Sequence, residues 1–546
     1  MRFSGPVLLS VPSRRRDPPS FSTGAGSRRR QSGHPAGARL GRSHGVLEPV
    51  VGRRPRAPVV EKETPVTVTH RAQDGPVPPL GRTTGRRRRR LLLTSVVALS
   101  TALVAACAQG SGGGDAAEDV SFGSDTELSG NLSVMGFGAG DEIAQVRMEA
   151  AQKALGDGVD VSLIEGDLDI QAFLSAVAAD DPPELISANR DQIGTFASRG
   201  AIIPLDDCLD AEGVDTSVFQ EAALAQVTFN DQVYGIPEFN QVQLTQANGD
   251  LLAAAGLTIE DVNGSSWERI AAANQALAKS EGGKVSVIGY DSKLPEFLPL
   301  WAKANGADLL SQDGRTAQLD DPAVVEALEF AVGIYDAQGG FPAVKAFRDS
   351  ADFFGENNQF ATSTLGAMPM EQWYINVVND VSPDAPVVYD SFRGRDGEPL
   401  AFSSGSAWAI PKGSANPQAA CTFAATMVAT DSWMAAAQAR ADIRAEEGKP
   451  FTMSPTANTE ADEQIRAMVD LDEPKFGPGL EAMYAGLEKT FTLPANPADA
   501  EFKTAWQDGV NRVLNGQQEP AEALAQAQEE AQAALDEAWA DWDARG

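Results

Sequence analysis

The stretch LSGNLSVMGFGAGDEIAQVRMEAAQKALGDGVDVSLIEGDLDIQAFLSAVAADDPPELISANRD, residues 128–191, decides the fold. Leu128 to Phe137 is a short apolar run closed by Gly136, Gly138 and Gly140, the pattern of a buried strand ending in a tight turn. Asp141 then opens a helix with Ile143, Val146, Ala150 and Leu155 on one face. Val159 to Ile164 reads as a second strand, Ile170 to Ala179 as a second helix and Pro183 to Ser187 as a third strand. Repeated strand-helix-strand order implies an α/β fold with a mainly parallel sheet and helices on both faces. Ligands of such sheets bind beyond the carboxyl ends of the strands. That places candidate ligand residues at Asp141 and Glu142 after the first strand, and at Asn189 and Asp191 after the third.

Helix and strand signals continue outward from this stretch. Ser265 with Glu268 makes a capping box around Trp267, Asp320-Asp321-Pro322 opens a helix with Val325, Leu328, Ala331 and Tyr335 on one face, and Asn416-Pro417 opens another. Val285 to Ile288, Gly366 to Met370 and Val387 to Tyr389 read as further strands. Pro520 to Trp542 is almost entirely Ala, Gln, Glu and Leu, and reads as one long surface helix. The roughly 440 residues that follow Cys107 exceed what one core supports, so two lobes are expected.

Charge narrows the function. The chain of 546 residues carries a formal net charge of −32, divided very unevenly. Residues 1–106 hold 20 basic and five acidic residues; residues 107–546 hold 24 basic and 71 acidic ones. A body this negative repels phosphate backbones, and no basic cluster follows Arg90, so nucleic acid is not expected as a partner. All three histidines, His34, His44 and His70, lie in the basic part. Imidazole-based triads and histidine-built zinc sites are therefore excluded from the body, and neither a metal nor a cofactor is expected. All eight tryptophans lie in the acidic part, where any aromatic binding surface must be built.

The front end reads as an address. Arg86–Arg90 precedes a 16-residue, largely apolar stretch from Leu91 to Ala106, the layout of a secretory signal and too short for a membrane span. Val104-Ala-Ala-Cys107 resembles the bacterial lipobox, which makes Cys107 the expected lipidation site and puts the body on the outer face of the cytoplasmic membrane. Residues 1–85 are rich in Arg, Pro, Gly and Ser, read as a disordered basic extension, and place the signal so deep that a true start near Val77 or Leu80 is expected. Residues 107–127 read as a flexible tether with a reach on the order of 25 Å.

Several stretches carry a family resemblance. Phe196-Ala-Ser-Arg-Gly-Ala-Ile-Ile-Pro-Leu-Asp206, Val233-Tyr-Gly-Ile-Pro237, Asn248-Gly-Asp-Leu-Leu252 with Ala255-Gly-Leu257, Ser266-Trp-Glu-Arg-Ile270, Leu365 to Trp373, and Gly405 to Gly413 with Asn416 to Ala420 are similar to motifs of the family 1 extracellular solute-binding proteins. These are the sugar-capturing lipoproteins of ABC importers, related to maltose-binding protein, and the matches occur in family order from about residue 128 onward. The resemblance implies two α/β lobes with a hinge and an interlobe cleft, a carbohydrate ligand, a permease partner, a lipid anchor and a monomer. By analogy lobe one is 128–237 plus 402–470, and lobe two is 240–400 plus 471–546.

Sugar recognition needs aromatic faces for pyranose C–H surfaces and charged or amide groups for hydroxyls. The resemblance places Asp191 where the family commonly has a sugar-binding Asp. Gln241 stands where maltose binders have Glu, beside Glu238, Phe239 and Asn240, which departs from a maltose-type pattern. Glu296 and Phe297 before Trp301, then Glu371 and Trp373, are the lobe-two candidates; Ser406 and Trp408 match a stretch facing the cleft from lobe one. Trp267, Trp433, Trp506, Trp539 and Trp542 are expected in packing roles. Cys208 and Cys421, the remaining cysteines of an exported chain, are candidates for a disulfide. Two other readings stay open: a carboxylate-based secreted glycosidase, and a binder of another solute such as a polyamine.

Overall fold

The computed structural model describes residues 122–123 and 127–545. The basic extension, the signal segment, Cys107 and most of the expected tether lie outside them. The tether's end is held on the body: Phe122 packs on a core cluster, and the Gly123 amide donates to Gln418 Oε1 at 2.7 Å.

Two sheet-containing lobes form. The first sheet has the spatial order Val159–Ile164, Gly130–Met135, Leu185–Asn189, Ser406–Ala409, Ile236–Pro237. Its first three strands are parallel, with Gly130 opposite Val159 and Val134 opposite Leu185; Ser406–Ala409 runs antiparallel to both neighbours. Asp141 caps the helix Glu142–Leu155 by accepting from the Ala144 amide at 2.9 Å, as the sequence predicts. The buried stripe of that helix is Ile143, Ala144, Arg147, Ala151 and Leu155, so it centres on an arginine instead of running through Val146 and Ala150.

The second sheet runs Val387–Ser391, Gln243–Asn248, Leu365–Glu371, Lys284–Tyr290, Lys279–Glu281. It is mixed, not mainly parallel: Gln243–Asn248 is antiparallel to both neighbours, and only Leu365–Glu371 with Lys284–Tyr290 is a parallel pair. Gln243–Asn248 carries no apolar alternation, yet all six residues are buried. Gln243, Gln246 and Asn248 find distant partners, as when Asn248 Nδ2 donates to the Phe360 carbonyl at 3.1 Å, while Thr245 Oγ1 and Gln246 Oε1 are buried without one. The cap of helix Trp267–Leu277 is Ser266, which accepts from the Arg269 amide; Ser265 instead bonds Asn263. One core cluster beneath this sheet draws on Val242 to Ala401 and on Phe476 to Leu535, whereas three clusters beneath the first draw on earlier residues and on Ala407 to Ile465.

Cys208 and Cys421 form a disulfide between helices Asp206–Glu212 and Pro417–Val428, with Cα atoms 5.9 Å apart in the first lobe's core. The chain crosses between lobes at 238–243, at 401–406, and between Met468 and Phe476. The first two crossings are tied together, the Gln241 amide donating to the Ser404 carbonyl at 2.8 Å. Gly405 has φ +150°, and a Cβ there would stand 2.1 Å from the Phe239 carbonyl oxygen, so only glycine allows the crossings this approach.

Candidate functional site

The crossings form the floor of two cavities whose linings interleave along the chain. Asn240, Gln241, Gln372 and Trp373 face the first, and their neighbours Gln243 and Glu371 face the second. Both are lined from the two lobes at once.

The first cavity encloses about 480 Å³. Lobe one contributes Asp141 and Glu142 from the loop beyond the first strand, with Arg440 and Arg444 from helix Thr430–Glu447; lobe two contributes Trp373, Asn376 and Asp380. Arg440 holds both acids, its Nη2 3.1 Å from Asp141 Oδ2 and its Nε 2.5 Å from Glu142 Oε1. Burial alone would raise the Glu142 pKa, but the Arg440 hydrogen bond and charge outweigh it and hold the carboxyl below its usual range. The rim is bridged between lobes by Arg444 Nη1 and Lys449 Nζ, at 2.7 and 3.0 Å from Asp380 Oδ1.

The second cavity is smaller, about 220 Å³, and more enclosed by apolar rings: Phe297, Phe402, Phe502 and Trp506. Its acids are Asp191, Glu296, Glu371 and Asp499. Lys503 reaches from lobe two to pair with Asp191 Oδ2, while Asp191 Oδ1 is buried without a partner. Burial pushes the Glu371 carboxyl above its usual range, with the charge of Glu296 adding to the effect. Burial also raises Asp499 well above its usual value, although its carboxylate accepts from the Gly194 and Asn496 amides at 3.1 and 3.0 Å. A Cβ at Gly194 would meet Asp499 Oδ2 at 2.4 Å, so this glycine lets lobe one seat on the loop before helix Asp499–Leu514.

The floor is held by Arg190, which lines the second cavity and is 1% exposed. Its guanidinium donates to Gln226 Oε1 and Asn240 Oδ1, both at 2.9 Å, to Ser403 Oγ at 3.1 Å, and to the Phe239 carbonyl. It thus ties the loop after the third strand to both crossings. Burial lowers its pKa, because all four acceptors are neutral.

Of the residues singled out in the sequence, Asp141, Glu142, Asn240, Gln241 and Trp373 line the first cavity, and Asp191, Glu296, Phe297 and Glu371 the second. Four do not line either. Asn189 is exposed. Glu238 is buried and spent on Arg147, 2.9 Å away, and on Ser406 Oγ at 3.1 Å, which also accounts for Ser406. Trp408 is fully buried in the lobe-one core against Phe137 and Phe423, because its strand sits inside the first sheet and points that side chain at the helices. Sequence reading missed Arg440, Arg444 and Lys503, and assigned Trp506 to packing alone; it packs in the lobe-two core and also lines the second cavity. These residues lie on helices far downstream, and their helical patterning carries no sign of which face meets the cleft. Trp267, Trp301 and Trp433 are core residues, Trp267 stacking on Phe330 at 4.4 Å.

Comparison with known proteins agrees with this architecture. Residues 147–445 match the family model for bacterial extracellular solute-binding protein. A maltooligosaccharide ABC transporter solute-binding lipoprotein of Streptococcus pneumoniae is 24% identical over 267 residues, 46% of this chain and 56% of the relative, so the match spans little more than half of that relative's length. Among solved structures, mannotriose-bound CpMnBP1 is 25% identical with a TM-score of 0.61, over 73% of this chain and 99% of that one. An ABC transporter solute-binding protein from Thermotoga lettingae TMO, bound with α-D-tagatose, is 20% identical with a TM-score of 0.59, over 74% and 100% of the two chains, and speaks for the fold alone.

Proposed function

The chain belongs to the bacterial extracellular solute-binding proteins, and from that premise we propose that it is the substrate-binding lipoprotein of an ABC importer, capturing a carbohydrate between its lobes and delivering it unaltered to the permease. The observation that carries this reading is the composition of the interlobe space. One aromatic face, Trp373 of lobe two, opens on the same cavity as the Asp141–Arg440–Glu142 cluster of lobe one and Gln241 of the crossing. An indole supplies the surface for a pyranose C–H face, and the fixed carboxylates and amides supply acceptors and donors for its hydroxyls once water is excluded. The named ligands of the relatives, maltooligosaccharides and mannotriose, are of this chemical kind.

The lobes joined by crossing strands would close around the ligand by hinge motion, and the closed form would be what the permease reads. Lipidation at Cys107 would hold the monomeric body on the outer face of the cytoplasmic membrane. Asp141 and Glu142 of the first cavity are held by Arg440, a positioning role that suits binding.

A thermal-shift screen of mono- and oligosaccharides against the full-length protein tests the proposal. At least one sugar is expected to raise the melting temperature in a concentration-dependent way, since a ligand that binds only the folded form stabilises it, and to be recovered intact after incubation. A screen in which only amines shift the protein, or recovery of cleaved sugar, overturns it.

A further inference from the structure

Among the described residues, four large hydrophobic side chains stand exposed: Ile164, Phe354, Val388 and Ile443. One of these four lines the first cavity and another stacks on its lining tryptophan. Ile443 lines it from the lobe-one helix Thr430–Glu447. Phe354, at 64% the most exposed of the four, lies in lobe two with its ring centroid 6.0 Å from that of Trp373 and within 15° of parallel to it. Phe354 is also held in place: Phe353 packs edge-on against it at 5.0 Å and itself stacks on Tyr374 at 4.5 Å, while Lys293 sits 5.5 Å above the Phe353 ring. Such an aromatic is costly to leave in water. Here it is rigidly presented and continuous with the indole that faces the cavity.

The rim of the first cavity is polar in the manner hydroxyls require. Asp380, Arg444, Glu447 and Lys449 form a network in which Asp380 and Glu447 each accept from both cations, at 2.7 to 3.3 Å. The exposed Phe354 face offers an apolar surface for a sugar ring's C–H atoms.

We infer that Phe354 and Trp373 form one aromatic track running out of the first cavity, so that the ligand is an oligosaccharide whose outer ring rests on Phe354 at the cavity mouth. This rests on the carbohydrate reading above and deepens it: Phe354 sets chain length, and a single-ring sugar leaves it uncovered.

The test is calorimetric titration of the full-length protein with mannose, mannobiose, mannotriose and mannotetraose, and with glucose and the matching maltooligosaccharides. Wild type is compared with Phe354→Ser and Phe354→Tyr. Ring stacking predicts that Phe354→Ser weakens the longest well-bound probe about three- to tenfold and leaves the single-ring probe within twofold of wild type; Phe354→Tyr, which keeps the ring, restores the long-probe affinity. Equal weakening across all lengths, or no weakening at any length, overturns the inference while leaving the carbohydrate reading intact. A Phe354→Ser protein that binds every probe like wild type but fails in reconstituted uptake makes the residue a permease contact and likewise overturns it. If no probe binds wild type, this inference falls, while the carbohydrate reading stands or falls on the thermal-shift screen.

Discussion

The two interlobe cavities place acids in opposite electrostatic circumstances. In the first, Asp141 and Glu142 share Arg440, which holds Glu142 ionised below the usual range. In the second, burial holds Glu371 and Asp499 above it, and neither lining cation pairs with them: Lys503 pairs with Asp191, and Arg190 donates to neutral acceptors. Acids in the same groove therefore have their pKa values moved in opposite directions, according to whether a guanidinium pairs with them or their burial goes uncompensated. The first cavity offers fixed anionic acceptors. The second offers carboxyls that hold their protons to higher pH and are then able to donate.

The largest expected effect comes from Arg190, which lines the second cavity and ties the two crossings together. Arg190→Met strips Gln226, Asn240, Ser403 and the Phe239 carbonyl of their donor, and is expected to cost about 3 kcal/mol or more of stability, read as a fall in denaturation midpoint. An unchanged midpoint would mean that the floor does not depend on it.

Arg440→Met sharpens the contrast between the cavities. It frees Asp141 and Glu142 and is expected to reduce ligand affinity about tenfold, consistent with loss of charge-assisted positioning worth about 1.5 kcal/mol, while changing stability by only about 1 kcal/mol. Titration calorimetry beside a melting curve separates the two quantities.

The pH dependence has a different sign on each side. The folded Glu371 keeps a proton that the unfolded chain has released, so its stabilising contribution is full below the ordinary glutamate range and is lost as pH rises through its raised pKa. Glu142 contributes above the ordinary range and loses that contribution as pH falls through its lowered pKa. Melting temperatures measured from about pH 3 to about pH 8, a span covering both ranges, are expected to lose part of their decline at the upper end in Glu371→Gln. Glu142→Gln is expected to lose part of the decline at the acid end. Identical profiles for the two variants would erase the distinction drawn between the cavities.

The smallest effect belongs to Lys503→Met. The Lys503–Asp191 pair is partly exposed, so its removal is expected to change stability by under about 1 kcal/mol. Its larger consequence would be for closure, since the pair joins the lobes: the variant's ligand dissociation, followed by stopped flow, is expected to quicken.

Much of the fold was legible because its signals are local. Asp141, Asp321 and Asn416–Pro417 mark helix starts that form where the residues ask for them, and Val159–Ile164 forms as read. The strand Gln243–Asn248 escaped because burial on both faces replaced alternation with polar side chains, of which Gln243, Gln246 and Asn248 have partners more than 100 residues away. In the site, acids in loops after strands were legible from topology. Glu238 and Trp408 were not, because whether a side chain faces the groove or the core depends on the element packed against it. Arg147 claims Glu238, and the helices over the first sheet claim Trp408.

By itself, then, the sequence determined the α/β alternation, the caps, the absence of imidazole from the acidic body and the family to which the motifs belong, because these reside in residue identity and near-neighbour spacing. Only the tertiary structure decided which tryptophan faces the cavity, which acids are paired or left buried, and that Arg440, Lys503 and Trp506 join residues some 130 to 310 positions away, because charge state and accessibility are set by distant segments brought together in folding.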